Sequence, residues 1–197
     1  MEKQTDLRVV KTKKLIKAAF YELASQKSFE KITVSDIAYI ALINRATFYL
    51  HYEDKYNLLR ELEKETISEI KAITDAIEVE QIQSRARAGA PLPHVVKILE
   101  YVNNNTDFFN LIITNNIDPS FFNELGGIMN KTAFEITGSE PKESDRIYTA
   151  YINNVNSAIF LSIITQWIKT GKKETVEEIA AFVTKLAWSS LNVLSIR

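Results

Sequence analysis

Thr33–Lys55 reads TVSDIAYIALINRATFYLHYEDK, and this stretch decides both the fold class and the function. Thr33 is a good N-cap, and Asp36 three residues later completes a capping-box-like pair. Val34, Ile37, Ala38 and Ala41 then recur at helical spacing, which predicts a short second helix with one apolar face. Leu42 and Ile43 form a tight turn. Asn44 caps a third helix over about Arg45 to His51, and Asp54 caps a long fourth helix from Lys55 to about Glu80. Two short helices around a tight turn make a helix-turn-helix over about 33–52. Such a unit presents its second helix to the DNA major groove, which is wide enough to admit it.

The third helix divides by face. Phe48 and Tyr52 lie four apart on one side and are expected to pack inward on Phe20, Ile37 and Ala38. Arg45, Ala46, Tyr49 and Leu50 fall on the other. Arg45 can donate two hydrogen bonds to a guanine edge or hold a phosphate, and Ala46 and Leu50 can touch thymine methyls. Thr47, Tyr49 and His51 carry groups that reach phosphate oxygens. Thr33 and Lys55, at helix starts, add backbone amides for phosphates. Spacing alone leaves a second interpretation open, in which the same outward face is simply solvated.

Outward from this stretch the helical period continues, and with five Gly and four Pro the chain lacks the turns of an all-β fold. The reading is all-α, with about nine helices. The first helix covers Arg8 to Gln26, with Leu15, Ile16, Ala19, Phe20 and Leu23 as its apolar stripe. Residues 81–93 form a loop. Helices are predicted at about 93–104, 106–115, 119–137 and 144–170, with Gly126-Gly127 a potential break and Gly171 the final stop. A second capping box, Thr175 with Glu178, opens a last helix to about Leu194.

At 46% hydrophobic residues the 197-residue chain can bury a sizeable core, and without cysteine it holds no disulfide, thiolate ligand or cysteine nucleophile. Residues 1–60 carry a net charge of +4 and residues 61–197 a net of −5. A basic front on an acidic body is compatible with a nucleic-acid-binding end. Nothing resembles a secretory signal, and the most apolar run, Ala158 to Ile168, is short of the about 20 residues that span a bilayer. The expected location is cytoplasmic, with no membrane contact. His51 and His94 stand in no metal-ligating motif, and His94 reads as a surface or helix-start residue. Glu61, Glu63, Glu65 and Glu69 read as a solvated helix face. No catalytic, metal or cofactor site is expected, so an enzyme is disfavoured.

Residues of about 8–68 resemble the N-terminal DNA-binding domain of TetR-type transcriptional regulators. The runs that carry the likeness are IKAAFYELASQKSFEKITVSDIA and INRATFYLHYEDKYNLL, with Phe-Tyr-x-His-Tyr-x-x-Lys the most specific part. The resemblance implies phosphate contacts at Tyr49 and Lys55 and base contacts at Arg45, Ala46 and Leu50. Leu42 departs from it, since the family often has Gly in this turn. Residues 69–197 would form an effector-binding and dimerisation domain. Within them, ILEYVNNNTDFFNLIIT and IFLSIITQWIKTGKKETVEEIAAFV resemble the regulators of dihydroxyacetone-kinase operons, some of which act as co-activators bound to another protein.

Two further sets are expected from patterning. Phe108, Phe109, Ile112, Phe121, Phe122, Asn156 and Phe160 either line an effector pocket or form plain core. Ile159, Ile163, Trp167, Ala181 and Trp188 belong to the last two long helices, which are apolar on more than one side and suit a four-helix dimer interface. The alternative is a monomer with a thick core. The sequence thus leads to a homodimeric regulator of a near-palindromic double-stranded operator, probed by an unknown small-molecule effector and by default a repressor. A co-activator working through a protein partner is the alternative.

Overall fold

A computed structural model describes residues 7–76, 84–85, 88–115, 120–128 and 146–192, with the side chains of 146–150, 152, 153, 156 and 190–192 left aside. Its regular elements are all helical among these residues: α1 (Leu7–Gln26), a 3-10 turn (Phe29–Lys31), α2 (Val34–Ile40), α3 (Arg45–Tyr49), α4 (Lys55–Asp75), α5 (Pro93–Asn104), α6 (Thr106–Asn115), α7 (residues 120–128), α8 (Arg146–Lys169) and α9 (Val176–Asn192). No helix of the described residues is long and apolar enough to cross a membrane. Residues 119 and 129–137 of the expected 119–137 helix, residues 144–145 of the expected 144–170 helix, and Leu194 lie outside the described residues.

The chain forms two compact units, Met1–Glu65 with Asp107–Ile117, and Thr66–Thr106 with Asp118–Arg197. In the first, α1 contributes Ile16, Ala19, Phe20 and Leu23 to the core, an i, i+3, i+4, i+7 stripe. Leu15 was expected in that stripe but is 42% exposed. It sits about 100° around the helix from Ile16, at the stripe's edge. Phe29 closes the core, stacking edge-on with Phe20 at 6.1 Å and with Tyr56 at 5.2 Å. Its backbone N–H donates to Asn115 Oδ1 at 2.9 Å, which ties in the end of α6. Lys17 pairs with Glu65, joining α1 to α4. Glu63 does not share the solvated face expected of it: it is buried, because with Leu59, Leu62 and Thr66 it falls on the inward side of α4.

In the second unit α9 packs on both α5 and α8. Ile98, Leu99 and Val102 of α5, Phe160, Ile164 and Trp167 of α8, and Ile179, Ala180 and Val183 of α9 are buried. Gly126 does not break α7, which is helical across it. A Cβ there would meet Ser157 Oγ of α8 at 2.5 Å, so the glycine permits close approach instead. Gly171, at φ +80°, ends α8 as expected. Its N–H donates to Ile168 O at 3.1 Å and the Lys172 N–H to Trp167 O at 2.9 Å, the paired bonds of a Schellman motif. The Trp167 indole N–H donates to Glu174 O at 2.9 Å and secures the loop that follows.

His94 starts α5, as expected, yet is not at the surface. It is buried and its Nδ1 has no hydrogen-bond partner. Its place four residues before Ile98 puts it on the apolar face of α5. Desolvation of the charged form lowers its pKa from 6.5 to about 4. The neutral ring is therefore what the fold accommodates. Stability from this group is complete above pH 6.5, where the unfolded chain is also neutral, and is lost as the pH falls from 6.5 towards 4. The wild-type protein should lose up to about 3 kcal/mol relative to a His94→Gln variant across that window. Denaturant unfolding of both proteins between pH 7.5 and 4 checks this; parallel stability curves would contradict it.

Candidate nucleic-acid interface

The reading unit is set at its start by Asp36. Thr33 and Asp36 form a complete capping box: the Asp36 N–H donates to Thr33 Oγ1 at 3.1 Å and the Thr33 N–H to Asp36 Oδ2 at 2.9 Å. Lys27 Nζ reaches the same Oδ2 at 2.7 Å. The Lys27 ammonium, then the Thr33 hydroxyl and amide, hold the Asp36 carboxyl at about 2, below its usual 3.8. Thus the end of α1 is anchored to the start of α2.

The turn between α2 and α3 is a second Schellman motif. The Leu42 N–H donates to Tyr39 O at 3.2 Å and the Ile43 N–H to Ala38 O at 3.0 Å. The residue that takes the left-handed conformation is Leu42, at φ +53°. Asn44 then caps α3, its Oδ1 accepting from the Ala46 N–H at 3.0 Å. α3 ends at Tyr49 rather than the expected His51, with Leu50 as C-cap. The His51 N–H bonds Phe48 O at 2.9 Å, an i to i−3 bond that tightens the last turn.

Phe48 and Tyr52 pack inward, ring to ring at 5.8 Å. Their burial turns the opposite face of α3 outward. Arg45, Ala46, Tyr49 and Leu50 are exposed there, Leu50 at 81%, while Thr47 and His51 are half-buried. Thr33 is exposed at the start of α2. Lys55 differs in kind. Its Nζ donates to Phe29 O and Glu30 O, each at 2.9 Å, and lies 4.7 Å from the Phe29 ring centre. The ammonium is thereby spent on the 3-10 turn, a charge-assisted and cation–π clamp. What it leaves towards solvent is the start of α4, where the Asn57 N–H is capped by Asp54 Oδ1 at 2.6 Å. Two exposed residues outside the expected DNA-binding set flank this surface, Tyr39 at 79% and Leu42 at 91%. Tyr39 was legible, since Ile37, Ala38 and Ala41 facing inward leave it outward.

The pocket residues expected from the sequence separate. Phe108, Phe109 and Ile112 are buried in the first unit, and Phe121 and Phe160 in the second, where Phe122 is half-buried. The Asn156 side chain lies outside the described residues. Of the interface set, Ile159, Ile163, Ala181 and Trp188 are half-buried, and Trp167 is buried within the protomer. An open groove of about 500 Å³ runs between α8 and α9, with Ile163, Trp167, Ile179 and Phe182 as apolar lining and Gln166, Thr170, Glu174 and Glu178 as polar lining. Among the described residues no three His, Asp or Glu side chains gather as metal ligands do.

Residues 15–62 match the family of bacterial regulatory proteins of the tetR type, and residues 90–188, half of the chain, match the C-terminal region of TetR-type transcriptional regulators. The chain belongs to the TetR family. It is accordingly a DNA-binding transcription regulator and not an enzyme. A 70-residue segment is 43% identical to YxbF, an HTH-type transcriptional regulator of Bacillus subtilis strain 168, covering 35% of this chain and only 18% of that protein. DhaS of Lactococcus lactis, the activator of the dhaKLM operon, is 23% identical over 92% of this chain and 91% of its own length. A TetR regulator structure from Streptococcus agalactiae 2603V superposes with a TM-score of 0.62 at 23% identity, over 92% of this chain and 96% of that one. At that identity the superposition speaks for the fold alone.

In this TetR-family chain the Asn44 cap is the shortest route to disturbing α3 without touching its outward face. Asn44→Ala should cost about 1 kcal/mol of stability. Urea unfolding of the variant checks this; an unchanged midpoint would show that α3 is held by Phe48 and Tyr52 alone.

Proposed function

We propose that this regulator is a cytoplasmic homodimer that binds a near-palindromic DNA operator through α3 and acts as a repressor released by a small-molecule effector. The single observation that carries the DNA reading is the outward face of α3, exposed between a capped start and a buried aromatic back. On this reading Arg45 reads a guanine edge, Ala46 and Leu50 meet thymine methyls, and Thr47, Tyr49 and His51 hold phosphates. Lys55 contributes its backbone amide rather than its committed ammonium, whereas the Thr33 N–H is already donated to Asp36 Oδ2 at 2.9 Å, so the phosphate contact expected of the Thr33 amide is not carried into this reading. Residues 8–68 serve as the DNA-binding domain and 69–197 as the effector and dimerisation domain. Effector binding shifts the population between two spacings of the paired reading heads.

The homodimer reading is supported by exposed apolar side chains on the last two long helices. Tyr151 and Val155 of α8 and Phe182 of α9 are each more than half exposed, and Phe182 lines the groove that also holds Ile163. Such a surface is what a two-fold helical interface covers. The name of DhaS, a transcriptional activator, supports a second reading in which this chain activates transcription; we take its form to be a co-activator that works through a protein partner.

Two measurements test these statements. Selection from a random DNA pool at two salt concentrations should enrich a palindrome whose half-sites lie about 34 Å or more apart, with affinity falling steeply as salt rises. Arg45→Ala should then cost about 1–3 kcal/mol on the enriched site and little on unrelated DNA. Salt-sensitive binding with no enriched motif would move the assignment to the partner-dependent activator. For the interface, Phe182→Glu should give a monomer in dilute sedimentation runs with its melting temperature unchanged within a few degrees. A variant that stays dimeric would remove Phe182 from the interface.

A further inference from the structure

The same helix-ending motif occurs twice in this chain with different residues at its strained position. After α8 the residue in that position is Gly171, at φ +80°, with open space around it, followed by Lys172 at φ +56°. After α2 it is Leu42, at φ +53°. An L-residue with a Cβ is disfavoured there and glycine is not. Strain of this kind is ordinarily offset by packing, yet Leu42 is 91% exposed and buries almost nothing against its own chain. Its neighbour in the motif, Tyr39, whose carbonyl accepts from the Leu42 N–H at 3.2 Å, is 79% exposed. Two large apolar side chains thus stand in solvent immediately before Asn44 and the first turn of the reading helix.

We propose that Leu42 is a specificity-determining residue, an apolar lip that meets a thymine 5-methyl group beside the base pairs reached by Arg45 and Ala46. The inference rests on the proposed DNA reading by α3 and extends it to the turn. Its physical basis is placement. The first residues of a recognition helix enter the major groove, and Leu42 precedes Arg45 by only three residues in a turn pinned by two backbone bonds. A side chain held there by the backbone, not by a core, is rigid at its base and bare at its tip. The thymine methyl is the apolar feature of the groove wall, and contact with it is how aliphatic side chains tell thymine from cytosine. Tyr39, one turn earlier, widens the same lip towards the sugar-phosphate edge. Leu50, 81% exposed, is the C-cap after α3, so the lip and Leu50 would bracket the outward face of the helix.

The test uses the full-length protein and the operator that it enriches from a random DNA pool. Selection is repeated with Leu42→Asn, which tolerates the left-handed conformation and lacks the aliphatic tip, and with Leu42→Gly. Both variants should melt at or above the wild-type temperature, and both should lose the preference for thymine at one base pair of each half-site. Replacing that thymine by uracil, which lacks only the methyl, should weaken wild-type binding roughly fourfold per half-site and leave the Leu42→Asn affinity unchanged. Retention of the same thymine preference by both variants, or an equal response of wild type and variant to uracil, overturns the role of Leu42 while the DNA reading stands. A lower melting temperature in both variants overturns it too, since Leu42 would then be packing. If the wild type enriches no sequence, the reading by α3 fails and this inference falls with it.

Discussion

The Asp36 carboxylate is the constraint on which the reading unit depends. One oxygen, Oδ2, takes hydrogen bonds from the Thr33 amide, the Thr33 hydroxyl and the Lys27 ammonium. Through it the end of α1 and the start of α2 become one fixed corner. α2 is only seven residues long, too short to hold its own shape in water, so its direction is set by this corner and by the burial of Ile37 and Ala38. The direction of α2 in turn sets α3. The carboxylate contributes this stability in full above about pH 4 and loses it as the pH falls towards 2.

Behind α3 the aromatic residues act as a template. Phe48 and Tyr52 are buried on one side, and since five residues make little more than one helical turn, the opposite side has no choice but solvent. A buried back and a capped start therefore define an outward face without any contact from that face itself. Lys55 adds a second clamp at the far end. Its ammonium bridges two carbonyls of the 3-10 turn and lies over Phe29, so α4 begins at a fixed place beside that turn. The basic charge of the first sixty residues is thus partly structural: Lys17, Lys27 and Lys55 are engaged with Glu65, Asp36 and the Phe29–Glu30 carbonyls. Net charge alone does not separate such lysines from those left free for phosphate.

The amino-acid order by itself determined most of the helices and nearly all of the reading unit. Capping residues and apolar spacing are local signals, and the bonds they predict, Thr33 with Asp36 and Asn44 with Ala46, close within three residues. The burial of Phe48 and Tyr52 and the exposure of Arg45, Ala46, Tyr49 and Leu50 follow from a spacing of four, which any helix obeys. What only the tertiary structure decided is where long-range packing overrides such local signals. His94 and Glu63 are polar by type and were expected in solvent, yet each lies on the apolar face of its helix and is buried with it. Gly126 serves close approach to α8 instead of a break, because the helix across it is held by a neighbour. Lys55 turns inward to carbonyls 25 and 26 residues away. The left-handed backbone of Leu42 is likewise decided by the turn geometry between two docked helices, since a leucine in isolation would avoid it.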